Sequence, residues 1–221
     1  MPISLPDMPA RIKRLPKDER GYPVPAFVEW MLDGKPAVRG GGSKPDFRYA
    51  RPEFRARAFK QGLCWLCGEK LGQHRVYVIG PMCVINRTTM EPACHRDCAE
   101  FAAKACPFLV RPRQKRDAKG LDEEAHMDGV GLTRNPGCVC LYETKEATRF
   151  SDGAGGWLIR LGLPARVDWW AEGRQATRAE IQASIDSGYP LLEAEAWKNG
   201  VGAVDELARL AAVALKLLPA A

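Results

Sequence analysis

Two pairs of metal-binding side chains constrain this chain more than any other feature. They are Cys64 and Cys67 in Cys64-Trp65-Leu66-Cys67-Gly68, and His95 and Cys98 in Cys94-His95-Arg96-Asp97-Cys98. A C-x2-C turn lets two thiolates converge on one ion. His95 and Cys98 are three residues apart, so at the start of a helix they share a face. Three thiolates and an imidazole satisfy Zn2+, which asks for little beyond four close nitrogen or sulfur donors in a tetrahedron. The sequence therefore predicts a structural zinc site at Cys64, Cys67, His95 and Cys98. Cys94 is an alternate ligand, because Cys94 and Cys98 form an i,i+4 pair.

The other cysteines, Cys83, Cys106, Cys138 and Cys140, are expected in the core, with Cys138 and Cys140 on one face of a strand. An even cysteine count suggests disulfides chiefly in short secreted chains. Residues 1–7 lack the apolar region of a signal peptide, and no apolar stretch is long enough to span a bilayer. The expectation is a cytoplasmic protein with no membrane partner, whose thiols bind metal rather than each other.

Charge is divided along the chain. Residues 1–120 carry 23 Lys and Arg against 12 Asp and Glu, whereas residues 121–221 carry 10 against 15. Two basic clusters stand out. Arg48, Arg51, Arg55, Arg57 and Lys60 are interleaved with Phe47, Tyr49, Phe54 and Phe59; Arg111, Arg113, Lys115 and Arg116 form the second. Cations neutralise phosphates and aromatic rings stack on bases, so segments 48–60 and 111–119 are candidate nucleic-acid contacts. The acidic C-terminal half is a candidate surface for a protein partner.

Four regions are expected. Residues 1–61 form a basic N-terminal part, with an extended opening, a strand at 26–31, a turn at Asp33-Gly34, a flexible break at 40–43 and a helix from 53 to 61 stopped by Gly62. Residues 62–110 form a zinc module, 111–136 a charged linker, and 137–221 a small sheet with C-terminal helices. In the zinc module, residues 75–79 and 82–85 are expected to pair as a β-hairpin, followed by a helix over 97–105. Beyond the linker, strands are expected at 138–142, 157–161 and 167–170. Thr177-Arg178-Ala179-Glu180 is a capping-box signature for a helix ending at Gly188. Further helices are expected at 191–199 and 204–218.

This order of knuckle, hairpin and ligand-bearing helix resembles the treble-clef zinc fingers over residues 62–106, with Cys64, Cys67, His95 and Cys98 as the matching ligands and Gly68 giving the knuckle its turn. The resemblance implies an α+β fold. Stretches at 18–25, 80–87, 106–109 and 173–180 also resemble segments of bacterial and phage proteins, a likeness that implies no particular activity. One treble-clef branch, the HNH nucleases, has the order His–Asn–His, matched here by His74, Asn86 and His95. The departures are Gln73 before His74, and His95 already assigned to zinc. Three functional classes follow: a non-enzymatic zinc protein that binds nucleic acid or regulates; an inhibitor or adaptor acting on a host defence complex; and an HNH-like nuclease.

Overall fold

The computed structural model describes residues 5–111 and 135–220. The fold is α+β, with three small antiparallel sheets, C-terminal helices and a Cys3His cluster. Helix α1 (Ala10–Lys13) is followed by strands β1 (Val28–Leu32), β2 (Lys35–Pro36) and β3 (Lys44–Ala50), and by helix α2 (Pro52–Gln61). Then come β4 (Arg75–Ile79), α3 (Pro81–Asn86), β5 (Thr88–Thr89), α4 (Arg96–Ala105) and α5 (Pro107–Val110). The second described stretch holds β6 (Val139–Thr144), β7 (Ala147–Ser151), β8 (Trp157–Leu161), β9 (Arg166–Ala171), β10 (Arg174–Gln175), α6 (Arg178–Trp197) and α7 (Val201–Ala214).

The central sheet has the order β10-β9-β6-β4 and separates two cores. Side chains alternate along a strand, and β4, β6 and β9 each feed both sides. Tyr77 and Ile79 of β4, Cys140 and Tyr142 of β6, and Trp169 of β9 join α3, α6 and α7 in one core. Val76, Val139, Leu141 and Trp170 join α2, α4 and the Cys64 loop in the other. Every residue of β6 is buried. The expectation that Cys138 and Cys140 share an inward face holds, since both lie in the first core. A second sheet, β5-β8-β7, lends Ile159 and Leu161 to that core. The third, β2-β1-β3, contributes to neither.

Three expectations are corrected. Residues 82–85 are not a strand: they lie in α3, so the hairpin required by the treble-clef resemblance is absent, and β4 pairs with β6 instead. A short apolar run does not by itself separate strand from buried helix. Here Pro81 opens the helix at a position where its missing N–H costs nothing. Pro81, Met82, Val84 and Ile85 then fall on one buried helical face. The opening segment is not simply extended. Helix α1 buries Ile12 in the second core, and Lys17 bridges Pro23. Finally, the helices expected at 177–188 and 191–199 are one, because α6 runs through Pro190. Tyr189, Leu192 and Ala196 pack against the first core on both sides of the proline, which offsets the lost backbone hydrogen bond.

The capping box is present as expected. Thr177 accepts from the Glu180 N–H, and the Glu180 carboxylate accepts from the Thr177 N–H at 2.8 Å. The Arg174 guanidinium and the Thr177 N–H together hold the Glu180 carboxyl down at about 2. A depressed carboxylate stabilises the fold fully above its unfolded pKa of about 4.3 and loses that contribution as pH falls through its folded value. Thermal melts of the wild type should therefore drop between pH ~4 and pH ~2 by more than those of Glu180→Gln. Parallel curves for the two proteins across that window would show that the charge on Glu180 contributes nothing.

Candidate metal centre

The Cys64 loop is shaped by its two glycines. Gly62 ends α2 in the left-handed conformation (φ 63°), turning the chain back on itself. A bridge from Leu63 to Lys70, and a bond from the Cys64 N–H to the Glu69 carbonyl at 2.7 Å, close the loop. Gly68 has φ +78°, and a Cβ there would come within 3.2 Å of the Ala26 Cβ, so the position suits glycine on two counts. Trp65 anchors the loop by stacking on Phe27 with ring centroids 4.6 Å apart, and on Phe54 at 5.7 Å.

The second pair is presented by α4. His95 is its N-cap and Cys98 lies in its first turn. N-cap and N3 side chains face one another, the geometry that a capping box uses; here the two bear a nitrogen and a sulfur donor. The chain leading into His95 is fixed to the edge of β4 by reciprocal backbone bonds between Val76 and Cys94, at 3.1 and 2.7 Å.

The ligand atoms of Cys64, Cys67, His95 and Cys98 all lie within 4.8 Å of one another. His95 Nδ1 is 3.4 Å from Cys67 Sγ and 3.9 Å from Cys98 Sγ. Ordinary Zn–S and Zn–N lengths give a tetrahedral S···N edge of about 3.6 Å, so the donors stand at the separations zinc requires. The far side of the imidazole agrees. His95 Nε2 lies 3.0 Å from the Lys70 carbonyl, which only accepts, so Nε2 carries the proton and Nδ1 turns its lone pair to the thiols. The N–H groups of Cys67 and His95 both donate to Cys64 Sγ at 3.4 Å. Cys64 is accordingly the most acidic of the thiols, held far below the ordinary range by hydrogen bonds from Cys67, Cys94 and Cys98. The hydrogen bond with Cys64, helped by burial, pushes Cys67 up to about 11.

Cys94 stands outside the four. It is buried in the second core and hydrogen-bonds Cys64. The spacing argument that preferred His95 with Cys98 thus matches the geometry. Other neighbours had no clear sequence signal. Arg11 of α1 donates to both Asp97 oxygens at 3.0 and 2.8 Å, and Arg14 pairs with Glu69, so the N-terminal helix is tied to both halves of the cluster. Arg96, at the start of α4, reaches Glu143 of β6 and Asp168 of β9. These carboxylates also relieve the poor placement of a cation at a helix N-terminus. Burial raises the pKa of the Glu143 carboxyl, but Arg96 and His74 outweigh it and keep the group below its usual value.

The remaining sequence candidates separate. His74 and His95 line one open groove of about 440 Å³ together with Arg11, Arg96, Asp97 and Glu100. Asn86 does not line it. Its side chain caps the end of α3 by accepting from the Thr88 N–H at 2.9 Å, and His74 Nδ1 is bonded to Glu143. Arg55, expected at a nucleic-acid surface, is buried. It donates to the carbonyls of Met90 and Trp157, each at 2.6 Å, and its guanidinium lies 3.7 Å from the Trp157 ring centre. Arg51 turns in toward the Ala26 carbonyl and the Phe54 ring. Arg57 and Lys60 remain exposed. Arg111 is exposed at the end of its described stretch, while Arg113, Lys115 and Arg116 lie outside the described residues. None of the described helices is long and apolar enough to cross a membrane.

No known protein family, curated protein or solved structure matches the chain.

The ligand assignment separates two variants. Wild type and Cys94→Ala should each carry about one zinc per chain, whereas Cys98→Ser should lose the metal and the cooperative melt of the Cys64 core. Metal analysis after gel filtration measures this; zinc retained by Cys98→Ser and lost from Cys94→Ala would exchange the two roles.

Proposed function

We propose that the chain is a zinc-stapled, non-enzymatic protein that binds nucleic acid through its basic N-terminal half. The Cys3His cluster carries the first part of this reading. Four protein donors fill a tetrahedral zinc, which is the pattern of structural sites, whereas catalytic zinc keeps a position for water or substrate. The clasp keeps the treble-clef ligand spacing while taking its β partner from a distant strand.

Charge supports the second part. Lys35, Arg39, Arg57 and Lys60 are exposed and have no ion-pair partner among the described residues. Free cations of this kind release counterions from phosphates on binding. A second reading, docking of a protein on the C-terminal helices, is favoured by Trp197 and Val201, which flank the α6–α7 turn at 57% and 64% exposure.

Fluorescence anisotropy with a labelled oligonucleotide tests the proposal. Four phosphate contacts correspond to a loss of affinity of roughly 50- to 150-fold between 50 and 200 mM salt. The double variant Lys35→Glu/Arg39→Glu should abolish binding while leaving zinc content unchanged. Absence of binding at 50 mM salt would overturn the reading.

A further inference from the structure

The β2-β1-β3 sheet lacks what normally holds three strands together. A small sheet is stable in water when one face is covered by a core or a helix, yet no residue from 29 to 50 is buried and none belongs to either core. The sheet is attached at its base, where Phe27 stacks on Trp65 and Val28 is buried. From there it stands away from the cores, carrying half-exposed and exposed aromatic rings at Trp30, Phe47 and Tyr49.

Two details give this surface a chemistry. The first is a register shift. Glu29 pairs with Asp46, but its neighbour Val28 pairs with Ala50, so residues 47–49 bulge from the ladder. Bulges re-aim side chains, and this one carries Phe47, Arg48 and Tyr49. The second is that every one of these rings has a guanidinium over it. Arg39 lies 5.7 Å from the Trp30 ring centre, Arg20 5.6 Å from Phe47 and 5.2 Å from Tyr22, and Arg48 5.8 Å from Tyr49. Asp18 orients Arg20 and Asp46 orients Arg48, while Arg39 has no carboxylate partner among the described residues. Residues 28–60 hold eight Lys and Arg against four Asp and Glu. The surface is thus apolar and flat at the rings, and cationic around them.

We infer that this sheet is a stacking platform for single-stranded nucleic acid. The inference rests on the nucleic-acid reading above and names its surface and its ligand. Unpaired bases expose π-faces that stack on aromatic rings and on guanidinium planes, and their phosphates are met by Lys35 and Arg39 at the rim, while Lys44 is paired with Glu19. A duplex hides those faces and offers only its backbone. The bulge displays Phe47, the exposed ring of the three, and the half-exposed Tyr49, while the half-exposed Trp30 stands on the neighbouring strand.

The test uses the full-length, zinc-loaded protein with a labelled 20-nucleotide single strand of DNA, the same sequence in RNA, and the matching DNA duplex. Single strands should bind more tightly than the duplex. Phe47→Ala and Tyr49→Ala should each weaken single-strand binding on the order of 5- to 100-fold, corresponding to one stacked base, and should leave duplex binding nearly unchanged. Phe47→Leu keeps the apolar bulk without the π-face. It should lose affinity as Phe47→Ala does, with unaltered melting and zinc content, and so separates stacking from folding. Binding to nucleic acid with no single-strand preference, or with full affinity in all three variants, would sink the platform and leave the broader proposal standing. Failure to bind any of the three probes would sink both.

Discussion

The structure depends on β6 being buried on both sides. A strand in an antiparallel sheet commonly has one wet face and one dry face; β6 has neither water nor an edge. Its two neighbours, β4 and β9, come from before and after it in the chain. Cys140 and Tyr142 are committed to one core and Val139 and Leu141 to the other. Displacement of the register by one residue would exchange these sets and spoil both cores together. The polar end of the strand is pinned as well, since Arg96 grips Glu143 and so ties the first turn of the metal-binding helix to the centre of the sheet.

The cluster does for the second core what size cannot. That core is built largely of alanines and cysteines with Phe54, Trp65, Phe101 and Trp170. A structural zinc contributes on the order of 10 kcal/mol in small fingers, comparable to the whole stability of a domain. The four side chains come from a loop after α2 and the first turn of α4, so one ion held there would fix the relation between two helices and a sheet edge. Arg11 and Arg14 extend the clasp to the N-terminal helix, which Ile12 also anchors in the second core.

What could be read in the sequence was what local chemistry decides. The ligand spacing identified the four donors, because Ncap–N3 geometry and a C-x2-C turn each bring two side chains together without help from the rest of the fold. Proline and glycine marked both ends of α2, and Thr177 with Glu180 marked the start of α6. What could not be read was decided by distant partners. The Pro81–Asn86 run is helical because its buried face meets α6 and α7, and Pro81 at its first position is a weak local signal beside that. Arg55 has the look of a surface cation, and distant partners, the Met90 carbonyl and both the carbonyl and ring of Trp157, turn it inward. Strand β3 does alternate, Pro45, Phe47 and Tyr49 with Lys44, Asp46 and Arg48, but Pro45 within the run argues against a strand and the strand covers no core.

The paired bonds between Val76 and Cys94 have a consequence for how the protein behaves among its own copies. Strand β4 is the outer strand of the central sheet, and an unpaired outer strand is a template for other chains. Part of that margin is occupied by the residue just before His95. A metal bound at His95 would hold Cys94 against that margin, so the same site that would staple the fold would also help close the sheet to a neighbouring molecule.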